Sequence, residues 1–222
     1  MLELLLPQRC LACGSSAAVI CSSCLEALPR LEPPLCERCG APTAWPVRRC
    51  AECAGRRVAF ASARAAVAYD ERVRRVVAGW KEHGLRRLAV TAADLIVAAI
   101  QRPNVEAMTF VPPDRNRLLE RGHHPAERLA RELGRRWQLP VVDLLARTRA
   151  VPRQRGSSLA ERRRNVRGAF AAKSSPRAVC LVDDVYTSGA TASAGRLRAA
   201  PGGSPHGAGR DARPGAAPPL VS

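Results

Sequence analysis

Eight of the nine cysteines in this 222-residue chain form four Cys-x-x-Cys pairs within the first 53 residues: Cys10/Cys13, Cys21/Cys24, Cys36/Cys39 and Cys50/Cys53. Two sulfurs separated by two residues can grip one tetrahedral ion at ~2.3 Å each, and a second pair completes a four-cysteine shell. Four pairs imply two zinc ions. With all eight thiolates bound, neither ion keeps an open position, so both sites are structural. The short loops between pairs favour sharing of an ion by neighbours, Cys10/Cys13 with Cys21/Cys24 and Cys36/Cys39 with Cys50/Cys53. An interleaved cross-brace is the alternative. Gly14 and Gly40 each follow a pair directly, where such turns often need positive φ. A disulfide framework would need an oxidising compartment, and the opening MLELLLPQRC has neither the basic leader nor the cleavage site of a signal peptide.

A second constellation is VCLVDDVYTSGAT, Val179 to Thr191. Four apolar residues end in two carboxylates and then in a small, hydroxyl-rich turn. Asp183 and Asp184 can accept hydrogen bonds from vicinal hydroxyls or hold a divalent cation through water. Thr187, Ser188, Gly189, Ala190 and Thr191, opening a helix, can wrap a phosphate with N–H groups and hydroxyls. A ribose 5-phosphate carries both features.

The elements that must position these residues follow from periodicity. After a boundary near Gly55-Arg56-Arg57, FASARAAVAY (Phe60 to Tyr69) reads as one or two short strands. Val73–Trp80 and Leu85–Ile100 have helical spacing, the second placing Leu88, Ala92, Leu95, Ile96 and Ala99 on one face. MTFV (Met108 to Val111) is a strand closed by Pro112-Pro113. Pro125–Trp137 is an amphipathic helix with Leu129 and Leu133 four apart, and LPVVDLL (Leu139 to Leu145) a strand or strand-to-loop element. AVCLV (Ala178 to Val182) is a buried strand, with Cys180 a small hydrophobe, and Ala190–Ala200 a helix. Strands alternating with helices imply a parallel, helix-covered sheet, an α/β fold. Ligands of such sheets bind beyond the carboxyl ends of the strands, where Asp183 begins.

Lys and Arg total 36 against 19 Asp and Glu, giving +17. All but Lys81 and Lys173 are Arg, and with abundant Ala this points to a GC-rich genome, so part of the excess is coding bias. The remainder favours polyanionic partners without requiring one. The best apolar run, Leu88 to Ile100, contains Asp94 and is shorter than the ~18 residues of a membrane span. A cytoplasmic protein with no membrane insertion is expected.

Two acids followed by two hydrophobic residues and Thr-Ser-Gly-Ala-Thr resemble the phosphoribosyl pyrophosphate (PRPP) signature of type I phosphoribosyltransferases. The order of Cys-x-x-Cys ribbons, Tyr69 with WKEHG (Trp80 to Gly84), FVPPDRNRLLERG (Phe110 to Gly122) and RQRGSSLAERRRNVRGAF (Arg153 to Phe170) resembles the ComF family. These are double-zinc-ribbon, phosphoribosyltransferase-like proteins associated with bacterial competence for DNA uptake. The resemblance implies a double zinc ribbon over residues 1–56 and a phosphoribosyltransferase-like domain over 57–200, a parallel sheet flanked by helices. Carried over, Asp183 and Asp184 meet the ribose hydroxyls of PRPP, and Thr187 to Thr191 hold its 5-phosphate. Val111 to Asp114 form the loop that contacts pyrophosphate, and Arg147 to Leu159 a mobile hood. Lys81 lies in the family's Lys-x-x-Gly element without a derivable role. Any chemistry would be displacement at the anomeric carbon, with Mg²⁺ and basic residues stabilising the leaving pyrophosphate. Arg121, Arg153, Arg155 and Arg162 are candidates for that task, and solvated surface positions are their alternative. A DNA-handling module is the second functional reading, in which Arg147 to Arg167, with eight Arg and one Glu, guides single-stranded DNA and meets DNA-uptake proteins. A sensor that binds ligand without turnover is the third. The acceptor of any transfer is unspecified.

Three places depart from the family. Some nucleobase-specific relatives carry an Asp general base where this chain has Thr187. The family's Arg-Gly-aromatic-Asn-Gln is here Arg121-Gly122-His123-His124-Pro125, in which His124-Pro125 opens the next helix. The last 22 residues, 201–222, contain 10 Gly or Pro and predict neither helix nor strand. Read one nucleotide later, the codons of HGAGRDAR (His206 to Arg213) are compatible with Thr, Ala or Val, Leu, Ala or Val, Val and Thr, a strand-like run. A frameshifted tail is therefore an expectation that the coding DNA decides.

Overall fold

The computed structural model describes residues 8–16, 18–56, 58–149, 169–173, 176 and 178–186, together with the backbone of 220–221. The cysteine-rich part is built twice on one plan. In each half a turn is closed by the same two backbone bonds, Cys10 N to Ser15 O and Gly14 N to Cys10 O, then Cys36 N to Ala41 O and Gly40 N to Cys36 O. Gly14 (φ 80°) and Gly40 (φ 71°) take the left-handed conformation these turns require. Each turn is answered by a short helix, α1 (Ser22–Glu26) or α2 (Ala51–Ala54), whose N-cap is the third cysteine of its set, Cys21 or Cys50.

The rest is a parallel sheet in the order β1-β6-β5-β2, formed by β1 (Ala63–Arg64), β2 (Ala107–Phe110), β5 (Val179–Val182) and β6 (Leu220–Val221). Val141 extends it through a parallel bridge to Met108. LPVVDLL is thus divided: Val141 flanks β2, and Leu145 opens β3 (Leu145–Arg147), which pairs antiparallel with β4 (Phe170–Ala172) as a separate ribbon. The expected FASARAAVAY strand appears as β1 and, at Val67, as a bridge to Arg30.

Both predicted helices before β2 are present, as α3 (Glu71–Glu82), capped by Asp70 accepting from Val73 N at 2.7 Å, and α4 (Leu88–Ala99). The buried side of α4 is Leu88, Ala89, Ala93 and Ile96, while Ala99 is exposed. The stripe is therefore rotated from the expected one, because α4 packs against α6 (Pro125–Trp137) as well as the sheet, and runs of Ala let either side face inward. Alternation along the strands divides the interior. Met108, Phe110, Cys180 and Val182 join α4 and α6, whereas Leu181 joins Phe60, Ala63 and Leu145 on the other face. Cys180 is fully buried and burial pushes its thiol up to about 12, which keeps it inert.

One expectation is corrected. The tail, read as free of strand, places Leu220 beside Ala63 and Leu181, and Val221 beside Arg64 and Val182. Two β-compatible residues directly after a Gly/Pro-rich run suffice for that short strand. The helix expected at Ala190–Ala200 lies outside the described residues. Among the described residues no helix is long and apolar enough to cross a membrane.

The zinc region also covers the edge of the sheet. Leu31 N donates to Ala66 O and Ala68 N to Pro29 O, while Ala63 N donates to Arg38 O at 2.9 Å. Gly40 sits so close that a Cβ there would meet Ala63 O at 2.6 Å. An edge strand occupied in this way offers no row of free backbone groups.

Candidate functional site

Two four-cysteine clusters stand in the first 53 residues, Cys10, Cys13, Cys21 and Cys24 in one and Cys36, Cys39, Cys50 and Cys53 in the other, with all ligand atoms of a cluster within 4.8 Å of one another. Neighbouring pairs share a cluster, and the interleaved alternative is excluded. The Sγ–Sγ separations are 3.8 Å for Cys13–Cys21, 3.6 Å for Cys36–Cys53 and 3.5 Å for Cys39–Cys50. A tetrahedron with metal–sulfur bonds of ~2.3 Å has edges of about 3.8 Å, so the geometry fits two structural zinc ions. Burial opposes ionisation of Cys36, but the backbone N–H groups of Cys39 and Cys50 bring its thiol down to about 6. Hydrogen bonds among crowded thiols of Cys13 and Cys21 push Cys24 up to about 12. Such a cluster releases its last protons only to a cation.

The second centre is a cleft of about 120 Å³ at the carboxyl ends of β2 and β5. Asp183 and Asp184 follow β5 directly. Across from them lies the loop Val111-Pro112-Pro113-Asp114, which leaves β2 because two prolines cannot continue a central strand. Asp114 then stands at the N-cap position of α5 (Arg115–Arg121), without a side-chain capping bond; periodicity did not reveal this helix. Lys81 from α3, Arg121 from α5, and Arg147 from β3 complete the charged lining.

Lys81 Nζ lies 2.9 Å from Asp184 Oδ2 with both side chains largely shielded, which gives this lysine the role that sequence reading could not supply. Asp184 N donates to Asp183 Oδ1 at 2.9 Å. Burial, and then the negative charge of Asp184, raise the Asp183 carboxyl to about 7, against the opposing pull of Lys81. The two acids are therefore unequal: Asp184 is ion-paired, and Asp183 is poised to change its protonation near neutrality.

Arg147 holds the loop in place, donating through Nε to Pro113 O at 3.3 Å and through Nη2 to Pro112 O at 3.1 Å while its guanidinium lies over the Phe170 ring. The two histidines have different tasks. His123 is buried with Nε2 2.9 Å from Trp80 O and Nδ1 3.0 Å from Arg121 O, tying the α5–α6 junction to the end of α3 beside Lys81. A neutral ring donates to one of those carbonyls only. His124 is the N-cap residue of α6, as its Pro125 neighbour implied, but its ring also lines the cleft, edge-on to Phe110. Burial lowers its imidazole pKa, with Glu127 opposing.

Of the residues singled out by sequence, the fold brings together Asp183, Asp184, Val111–Asp114, Arg121 and Arg147. Thr187, Ser188, Gly189, Ala190 and Thr191 lie outside the described residues, as do Arg153, Arg155, Arg162 and the hood beyond Arg149. Sequence reading missed His124 as a lining group; the only signal was its adjacency to the Arg-Gly turn.

The Double zinc ribbon domain family matches residues 1–54. Competence protein F of Haemophilus influenzae is 26% identical over 200 residues, covering 82% of this chain and 86% of that protein. No solved structure matches the chain. The ribbon match at the amino end and the likeness along most of the length support the assignment of this chain to the ComF family.

Proposed function

We propose that the cleft beside Asp183 and Asp184 binds PRPP or a related ribose 5-phosphate ligand in a cytoplasmic, competence-associated protein. The observation that carries this reading is the position of two unequal carboxylates at the carboxyl end of a buried strand, facing Lys81, Arg121 and Arg147 in one cleft. Carboxylates suit ribose hydroxyls, and the surrounding cations suit phosphate. Thr187 to Thr191, directly downstream, would hold the 5-phosphate. Mg²⁺ would arrive with the pyrophosphate. The acidic oxygens are hard donors of the type it takes, but Lys81 already neutralises Asp184 and must turn away before that oxygen can face a cation or its water. The competence association rests on the likeness to Competence protein F and on the ribbon match.

Calorimetric titration with PRPP and Mg²⁺ tests the reading. Saturable binding that disappears in the Asp183→Ala, Asp184→Ala double variant is the expected result, and no heat with the unaltered chain defeats it. Pyrophosphate release with a candidate acceptor would add transferase turnover to binding. The charge of +17 favours a second role in handling single-stranded DNA. Its sign is DNA binding that falls steeply with salt and is untouched by the double variant.

A further inference from the structure

Arg38 stands between two zinc-ligating cysteines, Cys36 and Cys39, where coordination asks nothing of a side chain. It nevertheless turns inward. The guanidinium donates through Nη2 to Val58 O at 3.1 Å and lies 5.9 Å from the centre of the Phe60 ring, while its buried Nε has no acceptor among the described residues. The backbone is fastened at the same point, with Ala63 N donating to Arg38 O at 2.9 Å. A buried donor without an acceptor destabilises, so this is not a solvated surface Arg. The aromatic face offsets part of that loss.

Phe60 is 1% exposed and belongs to the smaller apolar cluster, on the side of the sheet away from α4 and α6. Three other members of that cluster are the roots of the cleft. Tyr186, two residues after Asp184, meets the Phe60 ring edge-on with centroids 6.3 Å apart. Val111 opens the Pro112-Pro113 loop, and its N–H donates to Val182 O at 3.1 Å. Leu145 opens β3, whose Arg147 holds that loop through Pro112 O and Pro113 O. The acidic turn and the proline loop thus share one floor, and Arg38 fastens that floor to the second cysteine cluster. Lys81 is backed differently. Val76 of α3 packs against the first cluster, and a Cβ on Gly79 would meet Leu11 Cδ1 at 2.6 Å.

We propose that Arg38, Phe60 and Tyr186 are positioning residues for the cleft: the metal-filled second cluster holds Arg38 against Phe60, and Phe60 through Tyr186 holds Asp183-Asp184 in register with Lys81 and the Val111–Asp114 loop. None of the three lines the cleft. Each acts through the residues it anchors, and the effect of Arg38 falls on the acidic side of the Lys81–Asp184 pair while sparing α3.

Amide hydrogen exchange in zinc-replete, ligand-free chains tests this. The amides of Val111, bonded to Val182 O, and of Asp184, bonded to Asp183 Oδ1, report on the floor. Those of Val142, bonded to Met108 O, and of His83, bonded to Gly79 O, report on the outer sheet and on α3. Arg38→Met should speed exchange of the first two by about 10-fold, the usual size of a charged hydrogen bond with a cation–π contact. Tyr186→Leu should do so by about 5-fold, the usual size of an aromatic pair. Both variants should keep two zinc ions and leave Val142 and His83 unchanged, and Tyr186→Phe, which keeps the ring, should match the unaltered chain. Unmoved Val111 and Asp184 amides, a rise shared by Val142 and His83, or Tyr186→Phe behaving as Tyr186→Leu overturns the proposal. Loss of a zinc ion from Arg38→Met also overturns it, since Arg38 would then serve the cluster and not the cleft. One further readout rests on the reading of the cleft as a PRPP site: calorimetric PRPP affinity should fall about 10-fold in Arg38→Met. Equal affinity in the two chains overturns the positioning role, whereas no heat with the unaltered chain defeats the ligand alone and leaves the amides to decide.

Discussion

Each cysteine cluster takes its four donors from one short run, Cys10 to Cys24 or Cys36 to Cys53, whereas the cleft collects Lys81, Asp114, Arg121, Arg147 and Asp183-Asp184 from five different elements. The clusters are closed shells of one ligand type, repeated on one plan. The cleft mixes charges of both signs and, among the described residues, pairs Lys81 with Asp184 and not with Asp183. Donors close in sequence can assemble before the rest of the chain folds. Donors far apart exist as a set only after the sheet has formed, so the cleft should be more sensitive to packing elsewhere.

The contrast is broken most directly at the metal. Cys36→Ser should reduce bound zinc from two ions per chain to one and unfold the second half of the ribbon, since structural zinc contributes on the order of 10 kcal/mol to such small folds. Metal analysis and loss of the cooperative melt would register it, and retention of two ions would show that the shells are not closed four-cysteine sites. Next in size, Asp183→Ala with Asp184→Ala should weaken PRPP by at least about 100-fold while leaving both zinc ions bound, given about 1.5–3 kcal/mol for each charge-assisted hydrogen bond. If zinc is lost with PRPP, the two centres are not independent.

A smaller effect, about 10-fold on PRPP affinity, is expected from Lys81→Met. The same change should push the Asp183 carboxyl further upward, because Lys81 is what pulls it down. Carboxyl resonances followed by NMR across a pH series would report this, and an unmoved or lower Asp183 would remove Lys81 from the site. The slightest expected effect is on the pH profile of stability. Burial and Asp184 hold Asp183 near 7 in the folded chain, above its unfolded value. Between those two pH values the folded state binds more protons, so this group's contribution to stability falls as pH rises from about 4 to about 7 and is constant above. Asp183→Asn should flatten that part of the Tm curve, and an unchanged slope would mean that Asp183 is ionised throughout.

The ribbon was legible because cysteine spacing is itself the geometry: Cys-x-x-Cys fixes the bite, and Gly14 and Gly40 mark the turns. Strands β2 and β5 were legible from short apolar runs ended by Pro112-Pro113 and Asp183-Asp184, and α6 from its Leu129–Leu133 stripe. The buried face of α4 was not, because in LAVTAADLIVAA several faces are equally apolar and only contact with α6 chooses among them. The Lys81–Asp184 pair was invisible for a related reason: no local pattern joins the end of α3 to the end of β5. Leu220–Val221 escaped because two residues carry no period, and their pairing is decided by the vacancy between β1 and β5.

The backbone bonds from Pro29, Leu31 and Arg38 to the β1 segment bear on the fate of a metal-starved chain. If the ribbon opens, the outer side of Ala63–Ala68 is left with free N–H and C=O groups next to an apolar interior, a ready template for pairing between molecules. Zinc limitation in a cell would then remove this protein by self-association instead of leaving a bare sheet. Metal supply would thus set how much protein is available, although neither cysteine cluster gives a residue to the cleft.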